Sequence, residues 1–161
     1  MGLDITAMSE VERVDDGSED HEDVSRLWDG GFEGRLAPLE KGAYRSVGEE
    51  ASFRAGSYGG YNEWREHLAA MALGMTPERL WTLVKTDPTF AGPFVEQINF
   101  TDCDGTIGPT ASAKLAKDYA DFTERAEEYG KRVGCEWFFP RYKQWRAAFD
   151  VAAPNGVVLF G

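Results

Sequence analysis

Two stretches of this 161-residue chain gather side chains able to do chemistry. The first is Arg54-Ala55-Gly56-Ser57-Tyr58-Gly59-Gly60-Tyr61-Asn62-Glu63-Trp64-Arg65, which reads as a strand running into a helix. Its three glycines remove Cβ atoms where backbone N–H groups collect at a helix N-terminus, a geometry that suits a phosphate or carboxylate. Arg54 and Arg65 add positive charge, Ser57 and Asn62 add hydrogen-bonding groups, and Tyr58 and Tyr61 offer rings that can stack on a flat ligand. Neither G-x-x-x-x-G-K-[ST] nor G-x-G-x-x-G occurs there, so no Walker loop or dinucleotide fingerprint is present. The competing reading is a tight turn whose glycines allow close packing, with Trp64 buried and the arginines solvated.

The second stretch, Asn99-Phe100-Thr101-Asp102-Cys103-Asp104-Gly105-Thr106-Ile107, follows an expected strand from Phe94 to Phe100. Its Asp-x-Asp-Gly-Thr resembles the nucleophile motif of haloacid-dehalogenase-type phosphotransferases. That resemblance implies Asp102 as the nucleophile and Asp104 as the acid/base, with Mg²⁺ neutralising charge between carboxylate and phosphate. It also requires several βα units after the motif, whereas the 57 residues beyond Asp104 read as two long helices and one strand. Without covalent chemistry, Asp102, Asp104 and Thr106 can place oxygens around Mg²⁺, Ca²⁺ or a ligand hydroxyl. Ala113 stands where an EF-hand loop needs its bidentate Glu. The plainer alternative is a connection in which Asp104-Gly105 turns the chain and Gly108-Pro109 opens a helix.

Other metal and nucleophile patterns are weak. His21 lies among acids and reads as a solvated loop residue, while His67 reads as a helix-surface residue. No H-E-x-x-H, no C-x-x-C and no G-x-S-x-G is present, which argues against a zinc site and a hydrolase elbow. Cys103 and Cys135 are expected to be reduced.

Charge narrows the partners. The net charge is -11, and residues 1–25 hold nine acids against Arg13 alone, leaving the rest of the chain nearly balanced. A general grip on nucleic-acid phosphate is therefore not expected. No run approaches the roughly 18 apolar residues of a membrane span, and no basic region leads into an apolar one at the start, so a cytoplasmic address is expected.

The elements that must position these groups can be read from periodicity. Leu3 to Ala7 alternates as a strand that extends toward Val11 and Val14; the acidic stretch 15–23 reads as a solvated loop. One or two short strands are expected in 43–54. Tyr61, Trp64, Leu68 and Met71 share one face of a helix, and Thr76-Pro77-Glu78 caps and opens another. A single helix is expected over 109–129 and one more over 137–153, with Val157 to Phe160 returning as a strand that pairs with the first. Strands first, helices next and a closing strand make an α+β domain with a mostly antiparallel sheet that includes both chain ends, packed by three or four helices.

Met1-Gly2-Leu3-Asp4-Ile5-Thr6-Ala7, Phe53-Arg54-Ala55-Gly56-Ser57-Tyr58, Gly60-Tyr61-Asn62-Glu63-Trp64-Arg65, the Ile98-to-Pro109 segment and Lys114-Leu115-Ala116-Lys117-Asp118 together resemble an uncharacterised family of small bacteriophage and bacterial proteins. The resemblance implies a phage or prophage origin and a bacterial host cytoplasm, and carries no activity. The family pattern has Glu where this chain has Asp104, which suits a ligand or cation contact better than strict phosphotransfer geometry. Three functions stay open at this point. The leading one is a module binding a small anionic or nucleotide-like ligand through Arg54, Ser57, Tyr58, Tyr61, Asn62, Arg65, Asp102, Asp104 and Thr106, which in a phage-type protein would sequester a host signalling molecule. The others are an acidic protein that docks on a basic host-protein surface and an Mg²⁺-dependent phosphohydrolase built on Asp102 and Asp104.

Overall fold

The first strand follows the expected alternation. Leu3, Ile5 and Ala7 are fully buried along β1 (Gly2–Met8), which lies at the centre of a sheet. The computed structural model describes residues 2–15, 21–100 and 104–161, so Asp102, Cys103 and most of the acidic 15–23 stretch lie outside the described residues. β1 pairs antiparallel with β5 (Glu50–Ser57) on one side and with β7 (Val157–Phe160) on the other, where Ile5 faces Phe160. β6 (Gly105–Ile107) pairs antiparallel with β7 and completes the order β5-β1-β7-β6. Both ends of the chain thus share one sheet, as the terminal apolar strands require.

A second, three-stranded sheet is formed by β2 (Val11–Arg13), β4 (Gly42–Ser46) and β3 (Val24–Leu27) in the order β2-β4-β3. It has its own small core of Met8, Leu27, Leu36, Tyr44 and Val157. The architecture is α+β, with the strands divided between two sheets instead of one.

Helices cover the larger sheet. α1 (Tyr58–Leu73) buries Tyr61, Trp64, Leu68 and Met71, and it ends at Gly74 in the left-handed conformation (φ 62°). α2 (Pro77–Thr86) starts as expected, with Thr76 accepting a hydrogen bond from the Arg79 N–H at 3.2 Å. α6 (Phe138–Ala152) carries Trp145, whose indole meets Phe53 edge-on at 5.0 Å and lies 5.8 and 5.5 Å from Tyr61 and Phe160. Each fully buried large apolar side chain of this cluster contributes roughly 1.5–3 kcal/mol.

Six helices, not three or four, occur among the described residues, and two local expectations are corrected. The helix foreseen over 109–129 is two helices, α4 (Pro109–Asp121) and α5 (Thr123–Val133), meeting at Phe122. At the break, the Tyr119 carbonyl accepts from the Thr123 hydroxyl at 2.8 Å and from the Tyr142 hydroxyl at 2.6 Å, so side chains compete for the acceptor that would continue the helix. The strand foreseen over Phe94 to Phe100 is instead a helical turn, α3 (Val95–Ile98). Phe94 takes a left-handed conformation (φ 61°), and its N–H donates to Asp118 at 3.0 Å. Buried on all sides, this segment has no alternation to mark a strand.

Candidate functional site

α1, α2 and α3 converge on one buried cation. Arg65 projects from the second turn of α1 and is only 9% exposed. Its Nη1 donates to the carbonyls of Ile98 at 3.1 Å and Phe100 at 2.7 Å, and its Nη2 donates to Asn62 Oδ1. The guanidinium lies between two rings, 5.1 Å from Tyr61 and 5.7 Å from Trp81. Its Nε has no hydrogen-bond partner among the described residues. Nε–H and Nη2 make up the side-on fork by which arginine grips carboxylates and phosphates.

Arg65 lines a cleft of about 400 Å³ between α2 and the connection 28–36, although its Nε itself is fully buried. Spacings of three and four along α2 put Trp81, Val84 and Lys85 on the same wall. Opposite them are Phe32, held against Phe100 at 5.6 Å between centroids, and Arg35 with Glu33. Asn99, 8% exposed, also lines the cleft, and its Oδ1 has no partner. The Nε of Arg35 is likewise buried without one. Burial pulls the Arg35 guanidinium below its ordinary pKa, a shift opposed by the nearby Glu96 and Tyr61. Three cations against Glu33 give the lining a positive balance in a protein of net charge -11.

The residues singled out from sequence divide into two groups. Tyr61, Asn62 and Arg65 come together, although Tyr61 is entirely buried, its hydroxyl donating to the Gln97 carbonyl at 3.2 Å. Tyr61 backs the guanidinium from the core and leaves no face for a ligand. The others do not line the cleft. Arg54 lies on β5 and pairs with Asp4, with Nε–Oδ1 at 3.0 Å. Ser57 caps α1 by accepting from the Gly60 N–H at 3.0 Å, and Tyr58 packs at the margin of the core. Thr106 is buried in β6, so its oxygen is not presented at a surface, while Asp104 is exposed. Asp102, the other half of the proposed Asp pair, lies outside the described residues. No cluster of three or more metal-ligating side chains occurs among the described residues.

His67 also departs from expectation. It is half-buried, its Nδ1 lies 2.8 Å from the Tyr129 hydroxyl, and its ring sits edge-on to Trp137 at 5.3 Å. Cys135 forms no disulfide, and no helix is long and apolar enough to cross a membrane among the described residues.

Phe32, Arg35, Trp81 and Lys85 escaped sequence reading, and Asn99 opened the second stretch without being given a role. No protein-family model, no curated protein and no solved structure matches this chain. Its function is therefore read from the geometry of the cleft.

Proposed function

We propose that this protein is a binding module for a small anionic molecule that carries a flat ring, held in the cleft between α1, α2 and the connection 28–36. One observation carries the reading: Arg65 is nine-tenths buried at the cleft, yet its Nε–H has no acceptor among the described residues. A buried donor left without a partner costs on the order of 1–3 kcal/mol, more when it is charged, and an anion in the cleft would remove that cost. Trp81 and Phe32 supply the apolar faces for a ring, and Arg35 and Lys85 add charge beside the fork.

Thermal-shift titration with a panel of ring-bearing anions, both nucleotides and aromatic carboxylates, tests the reading. At least one should raise the melting temperature in a concentration-dependent way, as a ligand selective for the folded state does. Trp81→Ala should abolish the rise. A flat response to the whole panel at millimolar concentration would overturn the proposal.

A further inference from the structure

The geometry points to a free nucleoside monophosphate as the ligand of this cleft, an inference that rests on the binding reading above and narrows it. The unpartnered polar atoms of the lining are of two kinds. Arg35 Nε and Arg65 Nε are cationic donors, whereas Asn99 Oδ1 is a neutral acceptor. All three atoms are buried just behind the lining, so a complementary ligand offers an anion to the guanidinium groups and a hydrogen-bond donor to Asn99 as these side chains turn toward it. Lys85 adds a third positive charge at the rim, which favours a doubly charged group over a singly charged one. Trp81, Val84 and Phe32 require that the remainder be flat and apolar on its faces.

Simpler anions meet only part of this pattern. An aromatic monocarboxylate has the ring, and in indole-3-acetate an N–H donor, but only a single charge. A sugar phosphate has the dianion and hydroxyl donors but no ring, and inorganic phosphate lacks both ring and sugar. A nucleoside monophosphate has all three: a stacking base, ribose hydroxyls and base N–H groups as donors, and a phosphate that is largely dianionic at neutral pH. About 400 Å³ is near the lower end of the roughly 300–1,000 Å³ of small-molecule sites, so one nucleotide unit fits better than two. The net charge of -11 opposes a polymer of phosphates and leaves the free mononucleotide as the occupant.

Calorimetric titration of the full chain with AMP, GMP, CMP, UMP, adenosine, ribose 5-phosphate and indole-3-acetate tests the inference. The tightest of the four monophosphates should bind at least tenfold more tightly than adenosine, ribose 5-phosphate and indole-3-acetate. Arg35→Gln should weaken that monophosphate tenfold or more and leave adenosine unchanged, with the melting temperature of the unliganded variant reporting that it is folded. Indole-3-acetate binding as tightly as any monophosphate would overturn this ligand class while leaving the cleft reading in place. Adenosine binding as tightly as AMP would show that the guanidinium groups do not read a phosphate, with the same consequence. Absence of binding by all seven compounds would overturn this ligand class, while the cleft reading falls only if the wider panel of ring-bearing anions is also flat.

Discussion

The guanidinium of Arg65, on α1, lies 5.7 Å from the ring centroid of Trp81, on α2. A buried cation and a half-exposed ring from separate helices thereby form one continuous wall, charged at its base and aromatic toward solvent. Tyr61 lies 5.1 Å from the same guanidinium on the core side, and the Ile98 and Phe100 carbonyls accept from its Nη1. A side chain held this way keeps its charge fixed beside the cleft.

Removing Arg65 should damage both stability and binding. Arg65→Met leaves the Ile98 and Phe100 carbonyls without their donor, and unsatisfied buried groups cost about 1–3 kcal/mol each. Urea denaturation should show a loss of about 2–4 kcal/mol. Arg65→Lys should recover part of that loss, because an ammonium can reach a carbonyl, but should not recover ligand binding, because it lacks the fork.

Trp81 should separate the two roles. Its ring is 37% exposed and forms no hydrogen bond to the 98–100 turn, so Trp81→Leu should cost less stability than Arg65→Met. Ligand affinity should nevertheless fall about tenfold, in keeping with the roughly 1–3 kcal/mol of a stacked base. Parallel melting and titration curves on the same preparation check this.

Close backbone approach predicts a sharp contrast between two glycines. A Cβ on Gly156 would run into the Met8 carbonyl and the Ala152 Cα, both backbone atoms that cannot swing aside. Gly156→Ala should therefore cost about 3 kcal/mol. Gly134 closes α5 at φ 68° with nothing within 4 Å of its would-be Cβ, so Gly134→Ala should cost only the left-handed strain of about 1–2 kcal/mol. Chemical denaturation of the two variants distinguishes these mechanisms.

Alkaline pH should destabilise the fold through buried phenols. Burial raises the pKa of Tyr119 and Tyr142 above the ordinary 10.0, Tyr119 most strongly. The folded state therefore keeps protons that the unfolded state releases. The stabilisation is fully present below pH 10 and is lost as pH rises from there through the folded-state values. Melting temperature should hold up to about pH 9.5 and then fall, and Tyr119→Phe should soften the fall. The part of the tyrosinate absorbance that Tyr119→Phe and Tyr142→Phe remove should appear together with unfolding.

Much of the scaffold was legible because its signals are local. The alternation of Leu3, Ile5 and Ala7, the apolar stripe of Tyr61, Trp64, Leu68 and Met71, and the Thr76-Pro77-Glu78 start each specify an element without help from distant residues. The failures came where tertiary contacts decide. Phe94 to Phe100 is apolar enough for a strand, yet Asp118, Tyr61, Tyr119 and Arg65 hold its backbone and side chains as a turn. The 109–129 pattern is continuous, but hydroxyls of Thr123 and Tyr142 break the helix at Tyr119.

The candidate site was half legible for the same reason. Asn62 and Arg65 stood out within the glycine-rich stretch, but their neighbours Arg35, Trp81 and Asn99 come from three separate parts of the chain. Arg54, adjacent in sequence and similar in chemistry, pairs with Asp4 across the sheet. Glycines that suggested an anion cradle serve a helix start capped by Ser57.

The most direct test of the cleft is a ¹H–¹⁵N correlation titration that follows the arginine Nε–H and tryptophan indole resonances, assigned by Arg35→Gln, Arg65→Lys and Trp81→Leu. On addition of the tightest-binding ring-bearing anion, the Arg65 and Arg35 Nε–H signals and the Trp81 indole signal should move together along one saturable curve. If those three signals stay fixed while others shift, or if no ring-bearing anion moves any of them, the cleft is not the binding site.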